Sequence, residues 1–141
     1  IRDVERARGL GDVYKRQAGT VDAPIARHPT DRKRMAVCRP GQGREAVTHY
    51  QIVDSHDGYT HLTCRLETGR THQIRVHMAH IGHPLLGDPV YGPRRSFPGL
   101  AGQCLHAAQL TFTHPSTGER ITVEAPLPNW FQTVLQRLEL D

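Results

Sequence analysis

Short stretches of alternating hydrophobic and polar residues, separated by turn residues, dominate the chain from Gly19 onward. They predict strands at Thr20 to Ile25, Arg34 to Cys38, Ala46 to Asp54, Tyr59 to Glu67, Leu105 to Thr113 and Arg120 to Ala125. The tripeptide His56-Asp57-Gly58 predicts a tight hairpin turn. In the strand after it, Leu62, Cys64 and Leu66 share one face, which indicates a half-buried antiparallel sheet.

The hydrophobic period becomes helical at two places. Ile74, Met78 and Ile81 predict a helix over Thr71 to Ile81. Thr68 or Thr71 is expected to cap it and Gly82 to end it. A second amphipathic helix is predicted near the carboxyl end, with Asn129 as its cap and four apolar residues on one face: Phe131, Val134, Leu135 and Leu138. The expected fold class is therefore α+β, with a mainly antiparallel sheet and a few flanking helices.

Length and composition narrow the class of protein. A chain of 141 residues can form one domain with a real core, or a large piece of a bigger one. No apolar run approaches the roughly 18 residues that cross a membrane, so a membrane partner is not expected. Three cysteines without a CxxC pair argue against both a disulfide framework and a cysteine zinc site. These features predict a protein of the reducing cytoplasm.

Positive charge is concentrated towards the amino end. Residues 1–45 hold 11 Lys and Arg against 6 Asp and Glu, whereas residues 96–141 hold 2 against 4. Such an excess favours a polyanionic partner, because each Lys or Arg on a phosphate releases condensed counterions. The run Arg32-Lys33-Arg34 could bind the phosphates of such a partner. A solvated basic turn explains the same run, and both interpretations stay open.

The corner between the fourth predicted strand and the first helix is the strongest local candidate for a site. Gly69 ends the strand, Arg70 projects at the corner, and the first amides of the helix are exposed donors. The guanidinium of Arg70 offers a planar fork for a carboxylate or phosphate, and His72 and Arg75 lie near enough to add polar contacts. On these grounds alone, an ordinary surface arginine is the alternative.

A longer motif surrounds this corner. Residues 69–92, GRTHQIRVHMAHIGHPLLGDPVYG, resemble the late signature of the RluA family of pseudouridine synthases. The resemblance continues in residues 19–37, in Val47-Thr48-His49-Tyr50 and in Leu105-His106-Ala107, and it covers roughly Gly19 to Phe131. Within the family, the chain is most similar to the RluD-like type, which acts on large-subunit ribosomal RNA.

The resemblance implies part of a pseudouridine synthase catalytic domain, which isomerises uridine in RNA without a metal or nucleotide cofactor. The target uridine would be flipped from its stack. By resemblance, Arg70 pairs with the catalytic aspartate, and one of Leu85 and Leu86 lines the uracil pocket. The further candidates for substrate binding are His72, Gln73 and Arg75. Ribosomal RNA is the expected partner.

The chain departs from the family pattern at the nucleophile. The family's aspartate sits in an HRLD-type motif upstream of the matched region, and the 141 residues contain no such motif. Asp3, Asp12 and Asp22 lack its context, and Asp88 is expected to hold its loop by hydrogen bonds. The family's active-site tyrosine also lies upstream, and Tyr14 does not match it. We therefore expect an enzyme by family that is inactive as this chain alone; a non-catalytic RNA-binding module is the alternative.

The first residues stand apart from the rest. Residues 1–17 have no clear two-residue or helical period, and they meet Gly19 without a recognisable junction. We expect residues 1–18 to be a non-matching end, either foreign to the domain or disordered. Residues 19–141 are expected to be the carboxy-terminal part of the catalytic domain.

Histidine spacing raises a metal site as a further hypothesis. His77, His80 and His83 recur every three residues, a spacing that helical metal ligands can use. On a helix, however, each three-residue step turns the side chain about 60° away from the one before it. Gly82 is also expected to end the helix before His83, and no carboxylate completes the set of ligands. A metal site is therefore not expected.

Overall fold

A computed structural model describes residues 2–6, 17–93 and 97–141, with side chains from residue 17 onward. The described part contains β1 (Arg2–Arg6), β2 (Ala18–Asp22), β3 (Ile25–Arg27), β4 (Met35–Val37), β5 (Val47–His56), β6 (Tyr59–Leu66), helix α1 (Gln73–His80), β7 (Leu105–His106), β8 (Gln109–Thr113), β9 (Arg120–Glu124) and helix α2 (Asn129–Arg137). Neither helix has the length and apolar content that a membrane crossing needs.

Five strands form the main sheet in the order β2-β5-β6-β1-β7, and each pair in it is antiparallel. Hairpins β3-β4 and β8-β9 form two smaller sheets. Asp57 and Gly58 join β5 to β6 with φ values of 51° and 82°. Two positive φ values at the centre of a two-residue loop match the twist of antiparallel strands. The predicted α+β class, with a mainly antiparallel sheet, is confirmed.

Strand β1 lies in the segment for which the sequence predicted no element. Its backbone pairs with β6, where Arg2 lies opposite Thr63, and with β7, where Arg2 lies opposite His106. The predicted division of the chain into residues 1–18 and residues 19–141 stays a prediction.

The predicted single strand from Thr20 to Ile25 is wrong. Strand β2 ends at Asp22 and β3 begins at Ile25. Pro24 lies between them and has no backbone N–H to continue the ladder. The chain leaves the main sheet here, and Ile25 pairs with Val37 of β4 instead. The predicted strand from Leu105 to Thr113 is likewise divided, into β7 and β8.

Helix α1 is buried between the main sheet and the β3-β4 hairpin. On the sheet side, Ile74 and Met78 pack against Leu62 and Cys64 of β6, as the alternation in that strand predicted. On the other side, Val76 packs in a separate cluster with residues of the hairpin. Helix α2 buries Phe131, Val134 and Leu135 around Cys104, which confirms its predicted apolar face.

The predicted helix caps are wrong at both amino ends. Helix α1 follows His72, which has a left-handed φ of 55° and makes no capping bond with its side chain. The Thr68 hydroxyl is unavailable because it accepts the Val47 N–H and donates to Gln73. Helix α2 starts at Asn129, and Pro128 occupies the cap position. Gly82, at φ 88°, supplies the predicted left-handed exit from α1.

Candidate nucleotide-binding corner

Arg70 lies half-buried between the end of β6 and the start of α1. Its Nε donates to the Glu45 carbonyl at 2.7 Å, and its backbone N–H donates to Oε1 of Gln73 at 2.9 Å. Its terminal nitrogens make no hydrogen bond or ion pair with the residues that the structure describes. The guanidinium is thus held at its base, and its two Nη groups are available to a planar anion.

Gln73 holds this corner together. Its Oε1 accepts from the Thr68 hydroxyl at 2.8 Å and from the Arg70 amide at 2.9 Å. Its Nε2 donates to the Val47 carbonyl and to the Thr48 hydroxyl, each at 3.0 Å. The side chain is buried, and these four bonds use both protons and two lone-pair sites. The predicted contact of Gln73 with substrate stays a prediction, and its amide serves the scaffold.

The same network continues into the helix through His77. The Thr48 hydroxyl donates to Nδ1 of His77 at 2.8 Å, and Nε2 of His77 donates to the Ala23 carbonyl at 2.9 Å. This order of donors requires a neutral imidazole with its proton on Nε2. Burial lowers the pKa of His77 in agreement with that state. His77 therefore ties α1 to the end of β2 and the start of β5.

Arg75 and Asp88 form a buried ion pair behind the corner. Nε and Nη2 of Arg75 donate to the two carboxylate oxygens of Asp88 at 2.9 and 3.0 Å. Oδ1 of Asp88 also accepts the backbone amides of Val90 and Tyr91. Burial raises the pKa of Asp88, but Arg75 and the two amides outweigh it, so the pKa lies below its ordinary value. The predicted role of Asp88 in holding its loop is confirmed, whereas substrate contact by Arg75 stays a prediction.

Tyr91 connects the loop to the rest of the site, a role that the sequence analysis missed. Its hydroxyl accepts the Met35 N–H at 2.8 Å and donates to Nδ1 of His72 at 2.8 Å. The guanidinium carbons of Arg34 and Arg75 lie 5.3 and 5.0 Å from its ring centroid. Burial and the charge of Arg75 lower the pKa of His72, so it accepts this bond as a neutral ring. No local pattern in the sequence indicates these partners.

The two leucines of the loop differ in exposure. Leu85 is fully buried in the core beneath the main sheet. Leu86 is half-buried and packs towards α2. Of the two, Leu86 is the one that keeps surface for a ligand.

The histidines considered as metal ligands differ in their surroundings, because His77 is buried and fully bonded whereas His80 is exposed. Among the described residues, no three His, Cys, Asp or Glu side chains form a metal-binding group.

The corner and its scaffold fall within a match to a known family. The sequence profile described as RNA pseudouridylate synthase matches residues 8–80, just over half of the chain. The chain belongs to this family. The matched span includes Arg70, Gln73 and His77, so the network built on Gln73 is part of the shared region.

Relatives of the family are much longer than this chain. It is 49% identical over 144 aligned residues to an RNA pseudouridine synthase of Chloroflexus aurantiacus, covering 97% of this chain and 45% of that protein. It is 51% identical to ribosomal large subunit pseudouridine synthase D of Haemophilus influenzae, covering 89% of this chain and 42% of that one. The chain thus spans less than half the length of these relatives.

A solved structure of the family has the same fold. Human RNA pseudouridylate synthase domain containing 4 superposes with a TM-score of 0.72 at 26% identity. The superposition covers 99% of this chain and 61% of that one. The predicted fold, part of a pseudouridine synthase domain, is therefore confirmed.

Proposed function

We propose that this chain is part of the catalytic domain of an RNA pseudouridine synthase that isomerises uridine in large-subunit ribosomal RNA, in the cytoplasm and without a cofactor. Family membership and the similarity to synthases that act on the ribosomal large subunit support the reaction and the RNA. The observation that carries the proposal is the Arg70 corner, where a guanidinium is fixed at its base and offers its two terminal nitrogens to an anion.

In this proposal the partner of Arg70 is an aspartate supplied by an HRLD-type segment, a motif that the 141 residues do not contain. A guanidinium within a few ångströms stabilises the ionised form of a carboxylate. The aspartate would therefore stay charged when the flipped uridine excludes water from the site. Arg70 thereby holds the nucleophile in position and in its reactive protonation state.

The reaction conserves all atoms of the nucleotide. The bond between the ribose C1′ and uracil N1 breaks, the base turns, and a bond forms between C1′ and C5. The proton on C5 leaves and N1 gains one, so the chemistry needs no oxidant or metal. We assign Leu86 to the wall that contacts the uracil face, because Leu85 has no exposed surface. Gln73 and Arg75 would act by holding Arg70 and the Asp88 loop.

Tritium release from RNA labelled at C5 of uridine tests the proposal. We expect no release by the 141-residue chain and release by the same chain preceded by an HRLD-bearing segment of a relative. In the longer protein, Arg70→Ala should lower the rate by at least about a hundredfold, the scale of losing one electrostatic group at a reacting centre. Arg65→Ala, a change at an exposed arginine of β6, is the matched control and should leave the rate within about twofold.

Release by the 141-residue chain alone would contradict the proposed division, since the nucleophile would then be one of its own aspartates. RNA binding by the longer protein without any release would favour the alternative, a non-catalytic RNA-binding module.

A further inference from the structure

One segment of the described structure carries the whole positive excess of the chain. Residues 27–44, here called the basic arm, contain the last residue of β3, the turn of the hairpin, strand β4 and the loop that follows it. The arm contains one acidic residue, Asp31, and six basic residues: Arg27, Arg32, Lys33, Arg34, Arg39 and Arg44. Its net charge is +5, so the remaining 12 Lys and Arg against 13 Asp and Glu leave −1.

The cations of the arm are available to a ligand. All except Arg34 are exposed, and none of the six forms an ion pair with a carboxylate among the described residues. The single acid is engaged locally, because Oδ1 of Asp31 accepts the Lys33 amide at 3.1 Å. A group of unpaired cations repels itself, and an anion that bridges them relieves this repulsion.

Local hydrogen bonds hold the tip of the arm in one shape. Nδ1 of His28 accepts the amides of Thr30 and Asp31 at 3.2 and 3.0 Å. Nη1 of Arg27 donates to the Arg32 carbonyl at 3.0 Å, across the turn. The backbone that displays the cations is therefore ordered before a ligand binds, which lowers the entropic cost of binding.

The base of the arm joins the Arg70 corner directly. Ile25 and Arg44 exchange two backbone hydrogen bonds, of 2.9 and 3.0 Å. The next residue, Glu45, supplies the carbonyl that holds Nε of Arg70. On the other side, the Met35 amide bonds to Tyr91 in the Asp88 loop. The arm therefore begins at the candidate site.

We propose that the basic arm binds the backbone phosphates of RNA next to the nucleotide held at Arg70. Five of its six cations are arginines, whose planar fork matches a phosphate in two-point contact. In RNA, further phosphates lie on either side of any one bound nucleotide. A cationic segment that adjoins an anion-binding corner can therefore bind them. The location beside the target nucleotide rests on the proposed function, whereas RNA binding by the arm does not.

Salt-dependent binding of fluorescein-labelled single-stranded poly(U) to the 141-residue chain tests the arm. The variant Arg32→Gln/Lys33→Gln is compared with Arg65→Gln/Arg120→Gln, which removes the same charge from exposed sites of β6 and β9. Each lost phosphate contact should reduce the slope of log affinity against log salt by about 0.7 and weaken binding roughly fivefold near 0.1 M salt. We expect the arm variant to bind roughly 25-fold more weakly, and the control to stay within about threefold.

Equal weakening in the two variants would overturn the proposal, since charge rather than location would then decide binding. So would unchanged affinity and slope in the arm variant, or no binding by the parent chain. Thermal unfolding of each variant separates loss of contact from loss of fold, and Arg39→Gln with Lys33→Gln is the second arm pair if the first unfolds. If the salt slopes of the arm variant and the control differ but the longer protein releases no tritium, the proposed function alone is rejected. Release with equal slopes would reject the arm alone.

Discussion

At the scale of single residues, the buried amide of Gln73 joins four residues of the candidate site. We expect Gln73→Ala to lower the free energy of unfolding by about 2–4 kcal/mol, because it removes four hydrogen bonds and leaves the Arg70 amide without its partner. Urea denaturation measures the loss. Gln136→Ala, an exposed glutamine of α2, is the control and should change stability by less than about 0.5 kcal/mol. Similar values for the two variants would mean that the network does not stabilise the corner.

Residue roles were predictable where they depend on neighbours in the sequence. Arg70 was predicted at the strand-to-helix corner and Asp88 as the anchor of its loop, and both lie there. Two of the four partners of Gln73 lie 25 and 26 residues earlier in the chain, so no local pattern indicates them. Tyr91 was missed for the same reason, since its hydroxyl bonds an amide 56 residues away.

At the scale of elements, the connection of α1 to the sheet depends on the protonation of His77. Because burial lowers the pKa of His77 from 6.5, the unfolded chain binds a proton there at a higher pH than the folded chain does. This contribution to stability is complete above about pH 6.5 and is lost as the pH falls below that value towards the folded pKa. The pKa of His72 is also lowered, which adds a loss of the same sign.

We therefore expect the free energy of unfolding to decrease between about pH 7.5 and about pH 5.5. His77→Gln should be less stable at the higher pH and should lose less on acidification, because one of the two groups no longer titrates. His80→Gln changes an exposed histidine of the same helix, and because the charge of His80 is a smaller cause of the lowered pKa of His77 than burial is, it should reduce the pH dependence less than His77→Gln does. Urea denaturation at both pH values measures each difference. An unchanged decrease in the His77 variant would show that His77 is not its source.

Element types were predictable, and element ends often were not. The alternation in β6 and the helical spacing in α1 placed the buried faces correctly. Both predicted amino-terminal caps were wrong, because His72 and Pro128 occupy the cap positions. The Thr68 hydroxyl is used by β5 and by Gln73, so it does not cap the helix.

At the scale of the whole molecule, the β8-β9 hairpin has an apolar face that no described element covers. Leu110 lies opposite Val123, and Phe112 lies opposite Ile121. Leu110, Val123 and Phe112 are 60%, 49% and 40% exposed, although a two-stranded hairpin is marginally stable by itself. The opposite face is polar, and the hydroxyls of Thr111 and Thr122 bond across it at 2.9 Å. Such a face favours association.

We expect the 141-residue chain to self-associate as its concentration rises, which sedimentation velocity detects. Leu110→Glu/Phe112→Glu should return it to a monomer, because charge on the apolar face opposes its burial. Thr111→Glu adds charge to the polar face of the same strand and should leave association unchanged. A monomer at all concentrations in the parent chain would contradict this prediction.

The sequence by itself determined the fold class, the buried faces of β6, α1 and α2, and the arginine at the corner. These depend on hydrophobic period and turn residues, which act between neighbours in the chain. Only the tertiary structure decided which side chains complete the corner, how β1 joins the sheet, and that the base of the basic arm adjoins the residue that holds Arg70. Those facts follow from contacts between segments far apart in the chain, which no local period encodes.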